Sequence, residues 1–305
     1  MNPIKHRRVI QEARELFAKA QYEEAIKQYE EVIELGMTRE DMVNLGSAYI
    51  EVKRYSQAEY IFKVLAGHEK DARICYSLAF LYQEEGRYEE ALAHYEEAIQ
   101  LEPNHFFLCY DCAFLYDHLQ RYDEAKRHYI RALELDPNHF WANLNLGAIY
   151  EHENCDQEAL QLFLKAYEID SSQNMIAYNL GTVYAKLNMP EVALKYYLEE
   201  LTKPEPYNQT YYNLGTLYKT DFRDYEKARL AYLEGINQNP DHYECWYNLG
   251  CLYALIHDYD NATACFTYVF YKKHSLIDFM KEDADLVDYL KSPEYDAFIN
   301  GQNAS

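Results

Sequence analysis

Apolar residues along the chain recur with two nested periods. Cys75, Leu78, Ala79 and Tyr82 fall at i, i+3, i+4 and i+7, the spacing that lines one face of a helix. Gly86 and Arg87 interrupt this stripe. Tyr88, Ala91, Leu92, Tyr95, Ala98 and Ile99 resume it until Pro103 forbids further helix. Two short antiparallel helices are predicted. Thirty-four residues on, the same classes return at Cys112, Ala113, Tyr116, Tyr122, Ala125, Tyr129, Ala132 and Pro137, and repetition at this period marks a stack of helix pairs.

Aligned on this unit, the chain divides into eight copies at 6–38, 39–71, 72–105, 106–139, 140–173, 174–207, 208–242 and 243–274, with a capping segment at 275–300. Single helices shorter than about 12–15 residues are marginal in water, so neighbouring copies must stabilise one another. Small residues at the eighth position (Ala13, Gly46, Ala79, Ala113, Gly147, Gly181, Gly215, Gly250) and alanine at the twentieth allow the paired helices to approach closely. Asn-Leu-Gly recurs at 44–46, 145–147, 179–181, 213–215 and 248–250, and tyrosine holds the eleventh position from Tyr49 to Tyr253. This pattern resembles the tetratricopeptide repeat. The resemblance implies an all-α, right-handed superhelical solenoid whose first helices line a concave groove.

Departures from the repeat carry expectations of their own. Residues 6–38 are degenerate, as an end repeat should be, and the second repeat exits through Glu69-Lys70 without a proline. In the sixth copy Glu200 replaces a small residue, and Pro204 and Pro206 end the helix early; the seventh has one extra residue near Asp221–Asp224. A local change of superhelical twist is expected over 200–225. Beyond 275, Leu276, Phe279, Met280, Leu286, Leu290, Tyr295 and Phe298 predict one or two short helices covering the end of the stack.

Composition narrows the function. Most of the 33 tyrosines occupy repeat positions, so they report architecture. A net charge of −22 argues against nucleic-acid binding and favours a polar or basic protein partner. Residues 1–20 alone carry +3, leaving −25 for the remainder. No run is long enough to span a membrane, no secretory core is visible at the start, and seven cysteines suit buried thiols in a reducing compartment. A cytoplasmic protein without membrane contact is expected. Its oligomeric state is left open.

On each first helix, positions 4, 7, 8 and 11 cluster on one side, and positions 2, 5, 9, 12 and 13 on the other. The second face is the candidate binding surface. Position 5 supplies Tyr76, Tyr110, Tyr178, Tyr212 and Tyr247, and position 6 supplies Asn44, Asn145, Asn179, Asn213 and Asn248. An asparagine amide can pair with a peptide backbone without reading its side chains, and tyrosine is a rigid anchor. Phe80, Phe107, Phe114 and Trp141 add an aromatic cluster in the third to fifth copies. The expected function is a non-enzymatic scaffold that binds an extended peptide or partner segment in the groove.

Rival chemistries are thinner. A carboxylate clamp for acidic C-terminal tails would need Lys/Asn, Asn and Lys/Arg across three repeats, and the corresponding residues are Ile10 and Arg14, Asn44, then Arg73 and Ser77, of which only Asn44 matches and Arg73 is a conservative substitute. A regulatory subunit acting through convex or end-cap surfaces is the other alternative. His118 and His152, each preceded by an acid, read as groove-lip residues, and Cys109-x-x-Cys112 reads as packing because both thiols fall on core positions. No phosphate-cradling loop or activated nucleophile appears, and the repeats leave no room for a catalytic domain. No catalytic residue, metal or cofactor is expected.

Overall fold

The computed structural model describes residues 3–68, 71–272 and 280–303. Every regular element among them is helical, and the chain divides into two compact units, Met1–Ile149 and Tyr150–Ser305. The first unit contains α1 (Pro3–Ala18), α2 (Tyr22–Val32), α3 (Arg39–Glu51), α4 (Tyr55–His68), α5 (Ala72–Glu84), α6 (Tyr88–Leu101), α7 (Phe106–His118), α8 (Tyr122–Leu135) and most of α9 (Phe140–His152). The second contains α10 (Asp156–Ile169), α11 (Ile176–Lys186), α12 (Pro190–Glu200), α13 (Gln209–Thr220), α14 (Tyr225–Gln238), α15 (Tyr243–Leu255), α16 (Tyr259–Lys272) and α17 (Pro293–Asn303), with short 3-10 turns at Ala284–Leu286 and Tyr289–Lys291. No helix of the described residues is long and apolar enough to cross a membrane.

Consecutive helices pack on one another from α1 to α8 in the first unit and from α10 to α16 in the second, most extensively within a repeat. The small residue at position 8 is the reason. A Cβ on Gly46 would lie 2.6 Å from the Phe62 ring, on Gly181 2.5 Å from Tyr197, on Gly215 2.5 Å from Tyr232 and on Gly250 2.7 Å from Phe266. Those rings are almost wholly buried. Each glycine is the socket for an aromatic ring from the second helix.

The turn inside each repeat is closed by the backbone. Lys53, Gly86, Gln120, Asn154, Asn188 and His257 all take left-handed φ between 58° and 75°. The next N–H (Arg54, Arg87, Arg121, Cys155, Met189, Asp258) then reaches the carbonyl of the position-11 tyrosine at 2.8 or 2.9 Å, a Schellman-type closure. In the seventh repeat the extra residue is absorbed here, because Asp224 N–H bonds Tyr218 C=O one residue farther back.

The sixth repeat shows what Glu200 does. Helix α12 stops at this residue, as the prolines require, and its carboxylate is buried. It accepts from the backbone N–H of Met175 and of Tyr207, so it ties the preceding loop to the following one. At the C-terminal end, Met280, Leu286, Tyr289 and Phe298 are buried against Cys251, Ala254, Ala262 and Phe266. Among the described residues, the one or two short helices expected here are α17 and two 3-10 turns, the first of them capped by the Asp283 carboxylate, which accepts from the Asp285 N–H. Leu276, Phe279, Glu69 and Lys70 lie outside the described residues.

Candidate functional site

In the first unit, α5 and α7 bring several predicted residues together. A cavity of about 480 Å³ opens between them, lined by Ala72, Arg73, Tyr76, Glu102, His105, Phe107 and Leu108. Tyr76 also lines a second depression of about 170 Å³ with Ser47, Ile50, Glu51, Ser77 and Phe80, and Phe80 lines a third of about 210 Å³ with Lys53, Tyr55 and Glu84. Tyr76 is a wall common to the first two depressions, and Phe80 is common to the second and third. Phe107 is 57% exposed, and Phe114 and Trp141 are each 47% exposed. Phe107 and Phe114 are seven residues apart on α7, so they share a face, while Trp141 holds on α9 the position that Phe107 holds on α7.

Tyr110 sits deeper. Its ring is half-buried, stacked on Phe106 at 5.7 Å and set against His139 at 4.9 Å. His139 Nδ1 accepts from the Ala142 N–H at 3.2 Å, and burial holds its pKa below the usual histidine value. The Tyr76 hydroxyl donates to Asp111 Oδ2 at 2.8 Å. Burial raises the Asp111 pKa despite that bond, and raises Tyr76 with Asp111 adding to the effect. Asp111 is therefore a half-buried acid facing a first-helix tyrosine, and the sequence carried its signal: it stands where five other repeats have asparagine.

The position-6 asparagines serve packing where their partners are visible. Asn145 Nδ2 donates to the Tyr129 hydroxyl at 3.1 Å. In the second unit Asn213 Nδ2 lies 3.2 Å from Thr182 Oγ1 and 3.3 Å from the Tyr197 hydroxyl. Both amides thus reach the position-24 tyrosine of the preceding repeat. Asn248 donates to the Glu244 carbonyl of its own helix at 3.0 Å, and Asn44 and Asn179 are half-buried. Asn213 also lines a depression of about 210 Å³ with Lys186, Thr216 and Thr220.

The second-unit tyrosines are similarly placed. Tyr178 meets Tyr207 edge-on at 4.8 Å, and Tyr212 lies 6.3 Å from His242. The Tyr247 hydroxyl donates to Asp283 at 2.9 Å, so the C-terminal cap itself occupies this rung. Arg14 makes a two-point ion pair with buried Asp41, at 2.6 and 3.0 Å, which ties up one cation of the clamp alternative. Cys109 and Cys112 are fully buried, and His118 packs edge-on against Tyr88 at 5.5 Å.

Comparisons with known proteins agree with this architecture. Residues 82–142, 115–174, 209–242 and 231–264 each match a family model described as tetratricopeptide repeat. Among solved structures, the chain is similar to PilF of Pseudomonas aeruginosa, with 20% identity over 68% of this chain and 94% of that one and a TM-score of 0.56. It is also similar to the C-terminal part of a repeat-containing protein from Cytophaga hutchinsonii (13% identity, 77% and 97% covered, TM-score 0.65) and to a tetratricopeptide repeat protein from Parabacteroides merdae (18%, 80% and 97%, TM-score 0.55). At these identities the likeness is one of fold. A search of the curated proteins returned no match.

Proposed function

The chain belongs to the tetratricopeptide repeat family, and from that premise we propose that its first-helix face in the first unit holds an extended segment of a partner protein. The observation that carries this is the set of exposed aromatics, Phe107, Phe114 and Trp141, with Phe107 forming a wall of the 480 Å³ cavity. Exposed aromatics beside a preformed pocket are the usual anchors of an interface. The partner segment supplies one large apolar side chain to the α5–α7 cavity. Its flanks are polar or basic, because Glu51, Glu84 and Glu102 outnumber Arg73 and Lys53 among the residues lining the three depressions.

The scaffold is non-enzymatic and uses no cofactor in this reading, and its charge of −22 opposes nucleic acid as a partner. Seven free cysteines, six of them buried, favour a cytoplasmic location. The carboxylate clamp draws less support, with Arg14 already held by Asp41. The test is retention of a partner captured by the full chain. Phe107→Ser and Trp141→Ser should release it, whereas Tyr60→Ser, at an exposed site on the second helix α4, should not. Loss on Tyr60→Ser with retention on Phe107→Ser would place binding elsewhere.

A further inference from the structure

Helices α6, α7 and α8 bring together a group that the scaffold reading leaves unused. Glu96, Cys112 and His128 each offer one ligand atom, and the three atoms lie within 4.8 Å of one another. His128 Nε2 is 3.0 Å from Glu96 Oε1. Cys112 is fully buried, and the His128 side chain is only 13% exposed. The Tyr116 hydroxyl donates to Glu96 Oε1 at 3.0 Å, and its ring stacks on His128 at 5.5 Å with planes 13° apart, so carboxylate and imidazole are both held in place. We propose that Glu96, Cys112 and His128 form a binding site for a thiophilic divalent cation of the zinc class.

The donor set selects the ion. Thiolate and imidazole suit zinc and its neighbours, whereas magnesium and calcium take oxygen. Zinc bonds of about 2.3 Å to sulfur and about 2.0–2.1 Å to nitrogen place tetrahedral donors roughly 3.4–3.6 Å apart. The Glu96–His128 pair, at 3.0 Å, is already near that spacing, and Cys112 Sγ, no more than 4.8 Å from either donor atom, exceeds it by about 1.2 Å at most. Glu96 is 37% exposed, which leaves a fourth position to water. On binding, the Cys112 thiol proton leaves to solvent, and neutral His128 moves its one ring proton from Nε2 to Nδ1, so that the Nε2 lone pair goes to the ion in place of the hydrogen bond to Glu96. Thiolate and carboxylate then cancel the two charges of the ion, so no net charge is buried. Without the ion, burial keeps the thiol protonated, and the hydrogen bond from His128 holds the Glu96 carboxyl below its usual range.

Glu96 comes from the third repeat, Cys112 and His128 from the fourth, so a bound ion would brace two consecutive repeats. Within Cys109-x-x-Cys112 only the second thiol joins the cluster. The test uses the full chain, stripped with a chelator and titrated with Co²⁺. The expected result is a thiolate-to-cobalt charge-transfer band that saturates at one equivalent and is displaced by Zn²⁺, with zinc raising the melting temperature. Cys112→Ala should abolish the band. His128→Gln should weaken binding at least tenfold with the far-ultraviolet circular dichroism unchanged, which keeps the test decisive if Cys112→Ala folds poorly. A wild-type chain without the band, a band that persists in Cys112→Ala, or unaltered affinity in His128→Gln would each overturn the site.

Discussion

Replacing Glu200 probes how the sixth repeat is held. Its Oε1 accepts from Met175 N–H at 3.1 Å and Tyr207 N–H at 3.3 Å, and its Oε2 accepts from Lys203 Nζ at 2.7 Å. Glu200 is fully buried and the Lys203 side chain is 9% exposed, with its ammonium also on the Gln173 carbonyl. Glu200→Gln keeps an acceptor for the two backbone groups but removes the charge facing Lys203. Breaking a buried pair from one side costs about 3–5 kcal/mol, and the residual exposure of Lys203 puts this case near the lower figure. Glu200→Ala also strands two backbone N–H groups, at about 1–3 kcal/mol each, so it must cost more. Adding Lys203→Met to Glu200→Gln removes the orphaned charge and should recover about 1–3 kcal/mol. Urea unfolding of wild type, Glu200→Gln, Lys203→Met and the double variant gives the cycle. Hydrogen exchange at the Met175 and Tyr207 amides reports the local opening, which matters because repeats can unfold separately. A Glu200→Gln variant within about 0.5 kcal/mol of wild type, or a double variant no better than the single, would refute the latch.

Other consequences follow from single contacts. Gly181→Ala should destabilise by roughly 1–3 kcal/mol, because its Cβ would meet the buried Tyr197 ring at 2.5 Å and overpacking outweighs the gain in helix propensity. Gly67→Ala on α4, with nothing within 4 Å, should instead be neutral or stabilising by up to about 1 kcal/mol; thermal unfolding separates the two. Burial raises the Asp111 pKa above its ordinary 3.8, so its contribution is present in full at acid pH and lost as pH rises through the raised value. Asp111→Asn should therefore gain stability over wild type as pH increases from about 4 toward neutrality, read from urea midpoints across pH. At Asp41 burial pushes the pKa up, but Arg14 and Thr38 outweigh it and leave the value below 3.8. Asp41→Asn should hence cost stability at neutral pH and progressively less as acid protonates the wild-type carboxyl.

The repeat, its helix pairs and the small residue at their contact were legible because side-chain volume recurs with the period, whereas the ring that fills each space, Phe62 at Gly46 or Tyr197 at Gly181, depends on how the second helix packs. The end of α12 was legible from Pro204 and Pro206. The turns were only partly so. Gly86 announces its left-handed residue, but Lys53, Gln120 and Asn154 take the same conformation because the tyrosine carbonyl closes the turn whatever side chain is there. The asparagines were assigned to a face by angle, which says nothing of what their amides meet. Asn145 and Asn213 reach hydroxyls in the preceding repeat, and that contact depends on how repeats stack. Tyr247 meets Asp283, an acid in the cap with no place in the repeat pattern. The Glu96–Cys112–His128 cluster draws on three helices and has no linear spacing to read.

The most direct measurement of the account is site-specific photo-crosslinking with benzoylphenylalanine placed singly at Phe107, Phe114 and Trp141 on the first helices, and at Tyr60 and Leu198 on the second. The account predicts that one partner is captured from all three first-helix sites and from neither second-helix site. Capture from Tyr60 or Leu198, with Phe107, Phe114 and Trp141 silent, would contradict it.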